Sequence, residues 1–186
     1  DVTYSGTQKC LSAPPGISLI TFSQAAADRV KSRNTPVQSW FLDLSLLMAY
    51  WDGEGGGRTY HHTAPVNAMY GLHEALLMVK EQGLEASWAK HRTMHNALYE
   101  NLSGLGLEFV VDASYRLPQL NLVKVPEGVD EAAVRQQLLK EFNLEIGAGL
   151  GAFAGKVWRI GLMGYAARQE NVQLCTSALR ACLPGR

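Results

Sequence analysis

The sequence predicts an α/β chain whose second half is a small α+β unit, and three observations carry that prediction. Short strand-like runs open the chain and are followed by helical stretches with apolar residues every three or four positions. From residue 84 onward the pattern runs helix, strand, strand, helix, strand, helix, the order of a small two-layer domain. Gly83 interrupts the helical periodicity where the texture changes, which divides the chain into domains at 1–82 and 83–186.

Residues 1–4 and 18–22 read as strands separated by the turn-forming Ala13-Pro14-Pro15-Gly16. Ser23 caps a helix reaching about Lys31. Residues 42–51 form a helix apolar nearly all round, which predicts that it is buried. The stretch 52–57 (Asp-Gly-Glu-Gly-Gly-Gly) reads as a flexible loop, and Pro65 then opens a helix because its missing N–H would be unpaired there anyway. That helix repeats apolar residues at Val66, Met69, Leu72, Leu76 and Val79; the next carries a stripe of Trp88, His91, His95, Leu98, Leu102 and Leu105. Residues 107–111, 119–125 and 157–162 read as strands, and 129–142 and 167–183 as helices. Gly147-Ala148-Gly149-Leu150-Gly151 lacks dinucleotide-fingerprint spacing and reads as a flexible loop near a site entrance.

Composition excludes several functions. Lys+Arg and Asp+Glu both number 17, without a basic or acidic block, so a nucleic-acid-binding surface is not expected. The longest apolar run, 42–51, is far short of the ~20 residues a membrane helix requires. Three scattered cysteines make neither a disulfide framework nor a CxxC zinc site and fit a reducing compartment; Cys175 and Cys182, seven apart on a helical pattern, are expected in the core. The chain begins at Asp1 in a strand-like run, which reads as part of something longer.

Four positions could carry chemistry. Lys9 follows a strand in a run of small and polar residues, Tyr4-Ser5-Gly6-Thr7-Gln8-Lys9; it is a solvated surface charge or an amine held beside a carbonyl. Tyr60 and Thr63 sit just ahead of a helix N-terminus, as turn residue and cap or as a hydroxyl pair that receives an anion. Arg159 lies within a strand, where it faces solvent or meets an anion. Adjacent His61 and His62 lack a third ligand at suitable spacing, and His91 and His95 lie on an apolar stripe, so metal is not expected at either pair.

The segment Tyr4-Ser5-Gly6-Thr7-Gln8-Lys9-Cys10-Leu11-Ser12-Ala13-Pro14-Pro15-Gly16 resembles the cofactor-lysine segment of the class V, fold-type I pyridoxal-phosphate aminotransferases. Tyr60-His61-His62-Thr63-Ala64-Pro65-Val66, Glu81-Gln82-Gly83-Leu84-Glu85, Arg116-Leu117-Pro118 and Gly155-Lys156-Val157-Trp158-Arg159-Ile160-Gly161 resemble further family motifs in the same order. The resemblance covers essentially the whole chain and implies the C-terminal part of the large cofactor-binding domain (1–82) plus the small C-terminal domain (83–186).

It also implies roles. Lys9 would bond pyridoxal 5'-phosphate covalently and shuttle the proton, and Gln8 would hydrogen-bond the phosphate. Tyr60 and Thr63 would reach the phosphate held by the other subunit of a homodimer, and Arg159 would clamp the substrate's α-carboxylate. The implied reaction moves the amino group of alanine or serine to glyoxylate or pyruvate, so the partners are small amino acids and 2-oxo acids. Phosphoserine aminotransferase and cysteine desulfurase are the alternatives, the latter disfavoured because no thiol shows an exposed, activating setting. The family also implies a peroxisomal or mitochondrial location, although no targeting signal is visible in the sequence. An Asp upstream of the lysine should pair with the pyridine nitrogen, yet the only acid ahead of Lys9 is Asp1, to which no role falls. These 186 residues alone are therefore expected to be catalytically silent.

Overall fold

In the computed structural model, residues 1–52, 59–183 and 185 are described. They group into two units, Asp1–Gln8 with Ala13–His73, and Lys9–Ser12 with Glu74–Arg186.

In the first unit, β1 (Val2–Gly6) and β2 (Ser18–Phe22) pair antiparallel, with Val2 opposite Phe22 and Gly6 opposite Ser18. Their connection is tied down by Thr7, which is buried and donates its hydroxyl to the Pro14 carbonyl at 2.7 Å. Ser23 caps α1 (Gln24–Lys31) as expected, accepting the Ala26 N–H. Asp43 accepts both the N–H and the hydroxyl of Ser45 at the start of α2 (Leu44–Asp52), and these bonds hold its carboxyl below the usual range. The expected burial of this segment does not occur: Trp40, Phe41, Leu42 and Trp51 are exposed and none of residues 44–51 is buried. The physical reason is a shortage of cover: α2 meets α1, its Trp51 stacks on Phe22 and its Tyr50 packs on Tyr60 and His62, which covers the helix only in part. Apart from Asp52, which ends α2, the glycine-rich stretch 52–57 lies outside the described residues.

Helix α3 (Val66–Gln82) begins in the first unit and ends in the second. Its apolar repeat is largely open, with Val66, Met69 and Leu76 exposed and only Ala75 buried. Gly83 (φ +81°) then turns the chain into α4 (Leu84–Gly104), using a left-handed conformation that a side chain would strain.

The second unit is a two-layer sandwich. Strands β3 (Leu120–Lys124), β4 (Gly147–Ala148) and β5 (Val157–Gly161) form an antiparallel sheet in the order β3-β5-β4. Helices α4, α5 (Glu131–Phe142) and α6 (Gln169–Cys182) contribute Leu98, Leu102, Val134, Leu138, Val172 and Leu179 to one core with Val123, Trp158 and Ile160 of the sheet. Asp130 caps α5 by accepting the Ala132 and Ala133 N–H groups, and Asn143 ends it in the left-handed region.

Both stripe histidines are core residues, each with a satisfied ring nitrogen, as expected. His91 Nδ1–H donates to the Ser87 carbonyl, and His95 Nδ1–H donates to Asn121 Oδ1, both at 2.6 Å. Trp88 leaves the stripe and is exposed. Cys175 and Cys182 are buried thiols, and burial pushes Cys175 up to about 12.

Two expectations need correction. The predicted strand at 107–111 is reduced to one bridge between Phe109 and Val123. Leu107 N–H still bonds back to Leu102 at the end of α4, and Asp112 opens a 3-10 turn at Ala113–Tyr115, so no room is left for a longer ladder. The supposed flexible loop at 147–151 instead begins as β4 against β5, and the Gly149 N–H continues the pairing to the Val157 carbonyl at 3.0 Å. Gly149 permits this because a Cβ there would lie 2.0 Å from the Phe153 carbonyl oxygen.

Candidate active site

Lys9 emerges from β1 into a turn closed by the Ser12 N–H donating to its carbonyl at 3.0 Å. Its side chain is exposed, as is that of Gln8. Gly6 leaves space for Gln8, whose Oε1 would stand 2.8 Å from any Cβ added at position 6. The local sequence thus sends β1 into a tight turn that offers an amide and an amine in succession.

Tyr60 and Thr63 are brought together. Their hydroxyls lie 2.6 Å apart, both side chains are exposed, and the pair stands immediately ahead of α3. Two hydroxyls beside the positive end of a 17-residue helix make a receptor for an anion such as phosphate. Behind them His61 is buried, stacked on Trp40 at 4.1 Å. In the neutral ring its Nε2–H donates to the Trp40 carbonyl at 3.1 Å, and Nδ1 accepts from His62 at 2.8 Å. Both ring nitrogens are thus consumed in holding the loop. Among the described residues no three His, Cys, Asp or Glu side chains gather as metal ligands.

Arg159 is half-buried at the centre of β5. Its sheet neighbours are Leu122 and Gly147, on the face opposite the Trp158 and Ile160 side chains that enter the helical core. Arg159 Nε–H donates to the Ala148 carbonyl at 2.6 Å, and its guanidinium lies across Gly147, where a Cβ would come within 3.3 Å of Nη2. Among the described residues its four remaining N–H groups meet no acceptor. A fixed fork with its outer edge unused is suited to a carboxylate. The sequence placed Gly147 and Ala148, which aim this fork, in a loop; the signal was the glycine itself, the register partner of Arg159 on the adjacent strand.

Cys10 is exposed, contrary to expectation, because the turn after Lys9 points it outward instead of into the sheet. Exposure alone therefore does not count against a reactive thiol here.

In the first unit Gln8 and the hydroxyl pair offer donors suited to a phosphate, and in the second unit Lys9 offers an exposed amine and Arg159 a guanidinium with unused N–H groups. The chain matches the family described as "Aminotransferase class-V" over residues 1–174. It is 48% identical over 184 residues to an alanine–glyoxylate aminotransferase of Callithrix jacchus, covering 98% of this chain and 44% of that protein. It is 37% identical over 201 residues to an (S)-ureidoglycine–glyoxylate transaminase of Bacillus subtilis, covering 98% of this chain and 48% of that protein. The crystal structure of an alanine–glyoxylate aminotransferase from Nostoc sp. superposes with a TM-score of 0.93 at 45% identity, over 98% of this chain and 48% of that one. This chain thus spans about half the length of these relatives, shares the fold of the solved one along nearly its whole length, and belongs to the class-V aminotransferases.

Proposed function

We propose that this chain is the C-terminal half of a pyridoxal-phosphate-dependent aminotransferase that moves the amino group of alanine to glyoxylate. The single observation that supports this most is the agreement of sequence and fold along nearly the whole chain with proteins named for that reaction. Glyoxylate is the firmer half of the reading, since it also stands in the name of the ureidoglycine relative, whereas the donor differs. Serine as donor and pyruvate as acceptor belong to the same chemistry. Phosphoserine aminotransferases share the fold at 16% identity, which lends the alternative no support in chemistry.

Pyridoxal phosphate, when bound, supplies an electron sink for the carbanion formed at the substrate's Cα. The residues of this chain divide the remaining work. Lys9 would hold the cofactor's aldehyde end, and its amine would carry the proton to and from Cα. Gln8 donates to the phosphate from the same subunit, while Tyr60 and Thr63 donate to it from the other subunit of a homodimer. Arg159 fixes the substrate carboxylate, and with it the angle at which Cα presents its proton. Residues 1–82 complete the cofactor-binding domain and 83–186 form the small domain, with left-handed Gly83 at the junction. Peroxisome or mitochondrion is the compartment that this reading implies.

The test is a donor–acceptor panel on the whole protein loaded with cofactor: alanine, serine, phosphoserine and (S)-ureidoglycine against glyoxylate and pyruvate. Alanine with glyoxylate should be fastest, with parallel double-reciprocal lines, and the 186-residue chain alone should give negligible turnover. Faster phosphoserine turnover, or refusal of glyoxylate, would defeat the reading.

The subunit-crossing role makes a separate prediction. Replacing Tyr60 by Phe and Thr63 by Val removes both hydroxyls at little change in volume. Each charge-assisted bond is worth about 1.5–3 kcal/mol, so cofactor affinity should fall roughly 10²-fold or more. The dimer should also dissociate more readily. Equilibrium dialysis showing unaltered cofactor affinity would remove both residues from the phosphate site.

A further inference from the structure

The turn that carries Lys9 is held by residues of the second unit that are remote in sequence. Ser12 Oγ accepts the Tyr165 N–H at 2.8 Å, and Ser12 itself stands at φ +57°, a left-handed conformation uncommon for a residue with a side chain. Gly164 approaches the same turn so closely that a Cβ there would lie 2.1 Å from Ser12 Oγ and 2.4 Å from the Cys10 carbonyl oxygen. Gly164 in turn donates its N–H to His91 Nε2 at 2.9 Å. An N–H can only donate, so Nε2 must be the bare nitrogen, and Nδ1–H donates to the Ser87 carbonyl of α4. His91 is 3% exposed, which keeps water from substituting for either bond. A continuous chain of hydrogen bonds therefore runs from α4 through His91, the Gly164–Ala166 turn and Ser12 to the Lys9 carbonyl.

We propose that His91 is a positioning residue for the Lys9 amine, acting as a clamp through Gly164 and Ser12. This rests on the assignment of Lys9 as the cofactor lysine. A lysine on a flexible four-carbon stem is placed by its backbone, and an amine that must alternate between holding the cofactor and carrying a proton tolerates little drift. The neutral imidazole is suited to the role because a single rigid ring accepts on one side and donates on the other.

Three variants of the whole protein test the clamp. His91→Phe keeps ring volume and removes both bonds; His91→Gln puts a carbonyl Oε1 where Nε2 stood; Ser12→Ala changes only an exposed hydroxyl and is not expected to impair folding. Amide hydrogen exchange of the peptide spanning residues 9–13 is measured in protein stripped of cofactor, and kcat and KM in loaded protein. His91→Phe and Ser12→Ala should speed exchange in that peptide at least tenfold. In His91→Phe, kcat should fall by about 10²-fold, the loss expected of a misplacement near 1 Å, with KM for alanine nearly unchanged. His91→Gln should restore both readouts to near wild type. Unaltered exchange in both His91→Phe and Ser12→Ala, or a Gln variant as impaired as Phe, would overturn the clamp. Borohydride reduction of the loaded wild type separates the two assignments: a pyridoxyl group on another lysine would overturn the Lys9 reading and the positioning role with it. With the label on Lys9, unaltered exchange overturns the clamp alone.

Discussion

Lys9→Ala should reduce transamination by the whole protein by at least about 10⁴-fold, the upper end of what a positioned acid–base group contributes. The expectation follows from the absence of a substitute. Lys9 is an exposed amine at the end of a tight turn, and its chain neighbours Gln8 and Cys10 offer no amine. Phosphate binding through Tyr60 and Thr63 should persist, so the variant should still take up cofactor while losing the covalent link. Exogenous methylamine or ethylamine, supplying the missing amine in diffusible form, should restore part of the rate. Borohydride should label Lys9 in the wild type and leave the variant unlabelled. A variant retaining more than a few per cent of the wild-type rate would remove Lys9 from the reaction.

The second largest effect is expected at Arg159, and it should be selective. Truncating one partner of a desolvated, charge-assisted pair costs about 2–5 kcal/mol. Arg159 is only half-buried, so the lower end applies, near 2–3 kcal/mol, or about 30- to 150-fold in kcat/KM. Arg159→Lys keeps the charge but loses the planar fork and, with Nε, the bond to the Ala148 carbonyl that aims it. Most of the loss should appear in KM for alanine. Alaninamide, which lacks the carboxylate, should react slowly with wild type and variant alike. Equal losses for both substrates would mean that Arg159 supports the sheet rather than the substrate.

How much could be read from the sequence depended on how local each cause was. Ser23 as a cap, Gly83 as a helix junction and the stripe from His91 to Leu105 were legible because each follows from neighbours within four residues. The placing of Cys175 and Cys182 in the core followed from helical spacing in the same way. Residues 42–51 were misjudged because an all-apolar helix is buried only if something covers it, and that depends on residues remote in the chain. Residues 107–111 alternate as a strand should, yet pairing length was set by the turns on either side. The roles assigned to Lys9, Gln8, Tyr60, Thr63 and Arg159 came from resemblance alone. Spacing showed a lysine after a strand and an arginine inside one, and left a bland use open for each. The bonds from Tyr165 to Ser12 and from Gly164 to His91 span 153 and 73 residues and had no local trace.

The close approach at Gly149 has a genetic consequence. Every single-base change in a glycine codon that does not stop translation or leave glycine in place adds at least a Cβ, and at this position the first atom added would overlap the Phe153 carbonyl. No conservative allele is therefore available at codon 149. The damage would travel, because residue 149 continues the pairing of β4 on β5, and the Ala148 carbonyl next to it orients Arg159. Under the role proposed for Arg159, a carrier of such an allele would present as having lost carboxylate recognition with Arg159 itself still encoded correctly.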